Sequence, residues 1–299
     1  MIEGVIIKGV GGNYYVDTEN GLIECRARGL FRLKNIKPLV GDSVLIRLTE
    51  EDEMCGYIDE IKDRKNEMIR PPVANVEQLL IFFAVTNPEP SFLLLDKLLI
   101  AAEINNLKPV ICFNKSDLAN DNLKKEYENI FVNTGYNIVF TSIHDENSID
   151  ELRSILRDKL SVFSGPSGVG KSSLMNAVQP DFKLETGEIS EKLKRGRHTT
   201  RHAEIYKLSF GGYVVDTPGF SSFELSGVGE FELKEYYPEI KKYDSGCRFL
   251  DCLHKKEPDC VIKEAVEEGR ISETRYNNYI KLLEEIKKNK KNRKRDTPS

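Results

Sequence analysis

The chain has 299 residues, 39% hydrophobic and 31% charged, with a formal net charge of -4. That is apolar sequence enough for two or three domains, and the balance excludes a uniformly basic nucleic-acid coat. No apolar run approaches the ~18 residues of a membrane span, and the start, MIEGVIIKGVGGNYY, lacks the plan of a signal peptide, so a cytoplasmic protein with no membrane partner is expected.

Residues 1–68 alternate short β-rich runs with turn signals: EGVIIKGVG, NYYVDT, GLIECRAR, GDSVLIRLT and CGYIDEIKD. Five such strands predict a small OB-like barrel, with a plain β-meander as the alternative. The stretch RARGLFRLKNIKP interleaves Arg26, Arg28, Arg32, Lys34 and Lys37 with Phe31, the composition of an RNA-facing loop.

RPPVANVEQ at 70–78 marks a junction, after which the pattern becomes α/β over residues 69–224. QLLIFFAVT, KPVICFNKSD and YNIVFTS are unbroken apolar runs, as parallel strands covered on both faces require. SFLLLDKLLIAAEINN and SIDELRSILRD, between them, read as helices.

Asn114, Lys115 and Asp117 form NKSD at a strand end, where doubly wound sheets bind ligands. A carboxylate at Asp117 can accept from both N1–H and the 2-amino group of guanine, a pairing that adenine does not offer. Thr141 and Ser142 end the next strand and suit a loop that touches the guanine O6.

GPSGVGKSS follows at 165–173, between the apolar strand LSVFS and the helical SLMNAV. It is a P-loop: Gly165, Pro166, Ser167, Gly168, Val169 and Gly170 turn backbone N–H groups inward, Lys171 reaches the β- and γ-phosphates, and Ser172, followed by Ser173, ligates Mg²⁺. DTPG follows YVV, so Asp216 can hold Mg²⁺ through water and the Gly219 N–H can meet the γ-phosphate. Between them, in RGRHTTR, Thr199 or Thr200 can complete the Mg²⁺ shell. No Gln follows Gly219, so His198 is the candidate for positioning the attacking water. The base-reading loops thus precede the P-loop, an order that a circular permutation explains, because the ends of a compact domain often lie close together.

Residues 225–299 lose the β signal. Cys247, Cys252, His254 and Cys260, spaced C-x4-C-x-H-x5-C, suit tetrahedral Zn²⁺ with no open position, hence a structural ion. Cys25, Cys55 and Cys112 are scattered and read as core thiols. Between Lys281 and Ser299, eight Lys or Arg face three acids, a solvated end that gains meaning only beside another basic segment.

In this order the OB-like start, NKSD, GPSGVGKSS, GRHTT, DTPG and the cysteine set resemble the circularly permuted, small-subunit-dependent GTPases of bacteria, the RsgA family, over nearly the whole chain. The resemblance implies an OB-like barrel, a permuted α/β P-loop GTPase domain and a zinc-binding helical domain. It also implies GTP/GDP, Mg²⁺ and Zn²⁺ as ligands, and the small ribosomal subunit, with its 16S-type rRNA and ribosomal proteins, as partner. The subunit is expected to stimulate GTP hydrolysis during late assembly, and one copy of the chain would suffice. Potassium-using relatives carry Asn where Gly168 stands, so potassium activation is not expected. A nucleotide-gated rRNA binder whose hydrolysis is incidental is the alternative.

Overall fold

Alternation of inward apolar and outward polar side chains closes the amino-terminal segment into a barrel. In the computed structural model, which describes all residues except 34–35, 51–53, 70, 183–203, 217–226 and 296–299, the barrel strands are β1 (Ile2–Val10), β2 (Asn13–Thr18), β3 (Gly21–Ala27), β4 (Ser43–Leu48) and β5 (Cys55–Ile61). They close in the order β1-β2-β3-β5-β4, with Ile6, Val16, Ile23, Val44, Ile46 and Ile58 inside. The expected RNA-facing loop contains a short helix, α1 (Gly29–Leu33), and Phe31 packs into the core at 7% exposure instead of facing a ligand. Arg28 is engaged by Asp59 at 3.1 Å, beside Arg47 at 2.6 Å. A five-residue helix turns one apolar side chain inward while leaving Leu30 and Leu33 exposed, which composition cannot foretell.

A small hairpin, β6 (Glu67–Ile69) with β7 (Pro72–Ala74), leads into the second domain. Its strands are β8 (Gln78–Ala84), β9 (Lys108–Asn114), β10 (Asn137–Thr141), β11 (Leu160–Ser164), β12 (Glu204–Lys207) and β13 (Tyr213–Asp216). Their spatial order is β10-β9-β8-β11-β13-β12, all neighbours parallel except the edge strand β12. Helices α2 (Phe92–Ile104), α3 (Asp121–Ile130), α4 (Glu146–Leu156) and α5 (Lys171–Val178) connect them. Every residue of β8 is buried, because alternate side chains enter different cores. Leu79, Ile81 and Phe83 join a core shared with α2 and the barrel, while Leu80 and Phe82 pack with Leu152 of α4 and Leu174 of α5. An unbroken apolar run is therefore the pattern that a two-sided strand demands.

The carboxyl-terminal segment contains α6 (Pro238–Asp244), α7 (Val261–Glu267) and the 23-residue α8 (Glu273–Arg295). Its core includes Tyr237, Ile240, Cys252, Cys260, Tyr279 and Leu283, and reaches across to Ile100 on α2. At this junction Arg275 is buried with two carboxylates. It donates through Nε to Glu239 Oε1 at 2.7 Å and is paired with Asp96 of α2, which Asn278 Nδ2 also meets at 2.9 Å. Among the described residues, no helix is long and apolar enough to cross a membrane.

Candidate functional site

Strand register gathers the motifs at one edge of the sheet. Asn114, the last residue of β9, lies opposite Ala84 of β8 and Thr141 of β10. β11 runs beside β8 and delivers the P-loop to the same edge. From β8 the chain crosses to β9 on one side, and from β11 it passes to β12 and β13 on the other. The P-loop thus occupies the switch point where ligands enter an open sheet.

Two glycines set how closely these loops approach. Gly165 has φ +136°, and a Cβ there would stand 2.1 Å from the carbonyl oxygen of Phe82 in β8. Gly170 has φ +92°, and its Cβ would stand 2.4 Å from Asn114 Nδ2. A Gly165→Ala variant is therefore expected to push the P-loop off β8, so that thermal unfolding shifts downward and guanine-nucleotide titration shows no binding.

Hydrogen bonds tie the NKSD and Thr141 side chains to the P-loop. Asn114 Nδ2 donates to the Val169 carbonyl at 2.7 Å, Lys115 Nζ donates to the Gly168 carbonyl at 3.1 Å, and Thr141 Oγ1 donates to Asn114 Oδ1 at 3.3 Å. Ser142 Oγ donates to Asp117 Oδ1 at 2.6 Å. This bond, more than any other influence, holds the Asp117 carboxyl below its usual range and keeps it an anionic acceptor. A cavity of about 270 Å³ opens here, with Asp117, Lys115 and Ser173 in its wall. Leu118, Ile143 and His144 also form that wall and escaped the sequence reading. Their signal was adjacency, since each lies within two residues of Asp117 or Ser142.

Lys171 opens α5 and donates through Nζ to the carbonyls of Gly165, at 2.8 Å, and Pro166, at 2.6 Å. Burial lowers its ammonium to about 8. Phosphate oxygens would restore the charged form, so nucleotide binding takes up a proton wherever the free lysine is neutral. Nucleotide affinity is expected to be flat below about pH 8 and to fall roughly tenfold per pH unit above it, measurable as Kd at about pH 7 and pH 9.5. Ser172 is buried in the first turn of α5, and Asp216 ends β13, opposite Glu204 of β12. His198, Thr199, Thr200 and Gly219 lie outside the described residues.

In the carboxyl-terminal segment, the ligand atoms of Cys247, Cys252, His254 and Cys260 all lie within 4.8 Å of one another. Cys247 and Cys252 are each 3.9 Å from Cys260 Sγ, and His254 Nδ1 is 3.6 Å from Cys247 and 3.4 Å from Cys260. A tetrahedron with metal–sulfur bonds of ~2.3 Å has edges of roughly 3.8 Å, so this donor set fits zinc as it stands. His254 Nε2 lies 3.1 Å from Asp244 Oδ1, though off the line of a hydrogen bond, and Lys234 meets the other Asp244 oxygen at 2.9 Å. Such a carboxylate orients an imidazole toward a metal. Burial acts to raise the Glu257 carboxyl, but its own backbone N–H and those of Leu253, Lys255 and Lys256 outweigh it and bring it to about 2, fixing the loop between the ligands.

A model described as RsgA GTPase matches residues 61–226, and one described as RsgA N-terminal domain matches residues 3–58. The chain belongs to the RsgA GTPase family. A further model, described as 50S ribosome-binding GTPase, matches residues 161–293 and so begins within β11, the strand that enters the P-loop. Among relatives of the RsgA family, the small ribosomal subunit biogenesis GTPase RsgA of Caldanaerobacter subterraneus subsp. tengcongensis is 51% identical over 98% of both chains. That of Alkaliphilus metalliredigens is 46% identical over 97% of this chain and all of its own. The crystal structure of YloQ, a circularly permuted GTPase, superposes with a TM-score of 0.80 at 41% identity, covering 97% of this chain and 96% of that one. That of YjeQ from Thermotoga maritima does so with 0.81 at 41%, covering 95% and 98%. The OB-like barrel, the permuted P-loop domain and a carboxyl-terminal Cys/His cluster able to bind zinc are thus those expected, and the chain is a GTP hydrolase. GTP or GDP and Mg²⁺ are the ligands that a GTPase implies.

Proposed function

We propose that this GTPase acts in late assembly of the small ribosomal subunit, binding its 16S-type rRNA and ribosomal proteins as a monomer in the cytoplasm and turning over faster when docked. The observation that carries the reading is the joining of NKSD to the P-loop at the switch point of a permuted sheet, in a chain about half identical, end to end, to a relative named for small-subunit biogenesis.

In this reading Asp117 reads guanine, with Thr141 and Ser142 closing the base site beside Asn114 and Lys115. Residues 165–173 cradle the phosphates, and Lys171 offsets their charge. Ser172 and Asp216 hold Mg²⁺, Gly219 meets the γ-phosphate, Thr199 or Thr200 completes the ion's shell, and His198 positions water. Cys247, Cys252, His254 and Cys260 hold one structural Zn²⁺. The functional units are 1–68 for RNA, 69–224 for GTP and 225–299 for zinc and the basic helix. Because Asp216 ends β13 and the zinc unit follows it in sequence from residue 225, γ-phosphate-dependent movement after Asp216 would be passed to that unit.

Steady-state GTP hydrolysis should be measured alone and with small subunits, large subunits and whole ribosomes. The expected result is an increase of about tenfold or more with small subunits but not with large ones, and a marked loss of the stimulated rate in His198→Ala. No increase with any particle would leave a guanine-nucleotide-gated binder instead.

A further inference from the structure

Helices α6 and α8 each reach two places. On α6, Glu239 meets Arg275, while Asp244 lies against the ring of His254. On α8, Arg275 and Asn278 reach Asp96 on α2 of the GTPase domain. From the same helix, Tyr276 donates its O–H to the His254 carbonyl at 2.7 Å, and Tyr279 donates to the Leu253 carbonyl at 3.2 Å. Asp96 and Arg275 are 0% and 1% exposed, and one apolar core runs from Ile100 on α2 through Tyr279 to Cys252 and Cys260.

We propose that the Asp96–Glu239–Arg275 cluster and the Cys3His site are thermodynamically linked, so that zinc occupancy stiffens α2 and contact with α2 tightens zinc retention. The linkage rests on the reading of Cys247, Cys252, His254 and Cys260 as zinc ligands. A metal ion fixes the positions of Leu253 and His254, and with them the carbonyls that Tyr276 and Tyr279 grip. Once that grip loosens, α8 is free to rotate or shift, and a buried guanidinium between two carboxylates tolerates misalignment poorly because no water replaces a lost hydrogen bond. Linkage is reciprocal, so loss of the Asp96 contact must weaken the metal by the same factor by which the metal strengthens that contact.

The test uses the full chain. Bound zinc is counted by elemental analysis, then removed with a chelator while amide hydrogen exchange is followed. Exchange across residues 92–104 is expected to accelerate about tenfold or more, with β9 and β10 unchanged. Asp96→Asn, which retains the size of the side chain, is expected to hold zinc about 5-fold more weakly than the parent in equilibrium competition with a chromogenic chelator. Unchanged exchange in α2 after zinc leaves, or a zinc affinity of Asp96→Asn equal to the parent's, overturns the linkage while leaving the metal site intact. A parent chain that holds no zinc overturns both. Should Asp96→Asn fail to fold, the exchange measurement on the parent decides.

Discussion

Asp117→Asn is expected to weaken GTP binding on the order of 100-fold or more while binding of xanthosine triphosphate improves. In the proposed reading Asp117 offers guanine an anionic acceptor, and Ser142 Oγ, 2.6 Å from Oδ1, holds it in that state and orientation. Asparagine preserves the bond from Ser142, because its carbonyl still accepts, but turns an amide N–H₂ toward the donors of guanine. Two facing donors beneath a bound base leave polar groups unpaired and desolvated, at about 1–3 kcal/mol each, and the charge assistance is lost as well. Xanthine carries a carbonyl where guanine carries its amino group, so the same amide finds an acceptor. Fluorescent-nucleotide titrations with competing GTP and xanthosine triphosphate measure both affinities. Equal losses for the two nucleotides would mean that the substitution damages the loop, and that Asp117 does not read the base.

The largest stability effect is expected at Arg275. Arg275→Met leaves Asp96 and Glu239 buried without a cation, and burial already holds the Asp96 carboxyl above its ordinary range against the pull of Arg275. Breaking such a set from one side costs about 3–5 kcal/mol, or roughly 10 °C in Tm for a chain of this size. Replacing all three groups by apolar side chains, as in D96L/E239M/R275M, is expected to recover most of that loss, because the desolvation penalty is removed along with the attraction. Scanning calorimetry of the two variants separates a charge effect from a packing effect. If the triple variant is as unstable as Arg275→Met, the guanidinium acts mainly through the space it fills, including its stacking 4.5 Å over the ring of Tyr237.

Contiguous features were legible in the sequence. GPSGVGKSS, NKSD and C-x4-C-x-H-x5-C are short, and each residue type answers to a local chemical need: a turn that only glycine allows, a carboxylate at a strand end, four soft or imidazole donors around an ion. The apolar run of β8 announced a strand covered twice, and the order of motifs along the chain announced the permutation. What only the tertiary structure decided are contacts between residues far apart in sequence. The placement of Phe31 depended on which way a single helical turn faces once β3 and β5 have paired. Arg275 sits in a charge-rich helix and nothing in its local sequence marks it for burial, yet it is buried because Asp96, 179 residues earlier, meets it across the junction with α2. Likewise Ser142 acquires its hold on Asp117 only when β9 and β10 lie side by side in register. Local pattern fixes backbone conformation and short motifs, whereas pairing of distant polar groups is set by how finished elements pack.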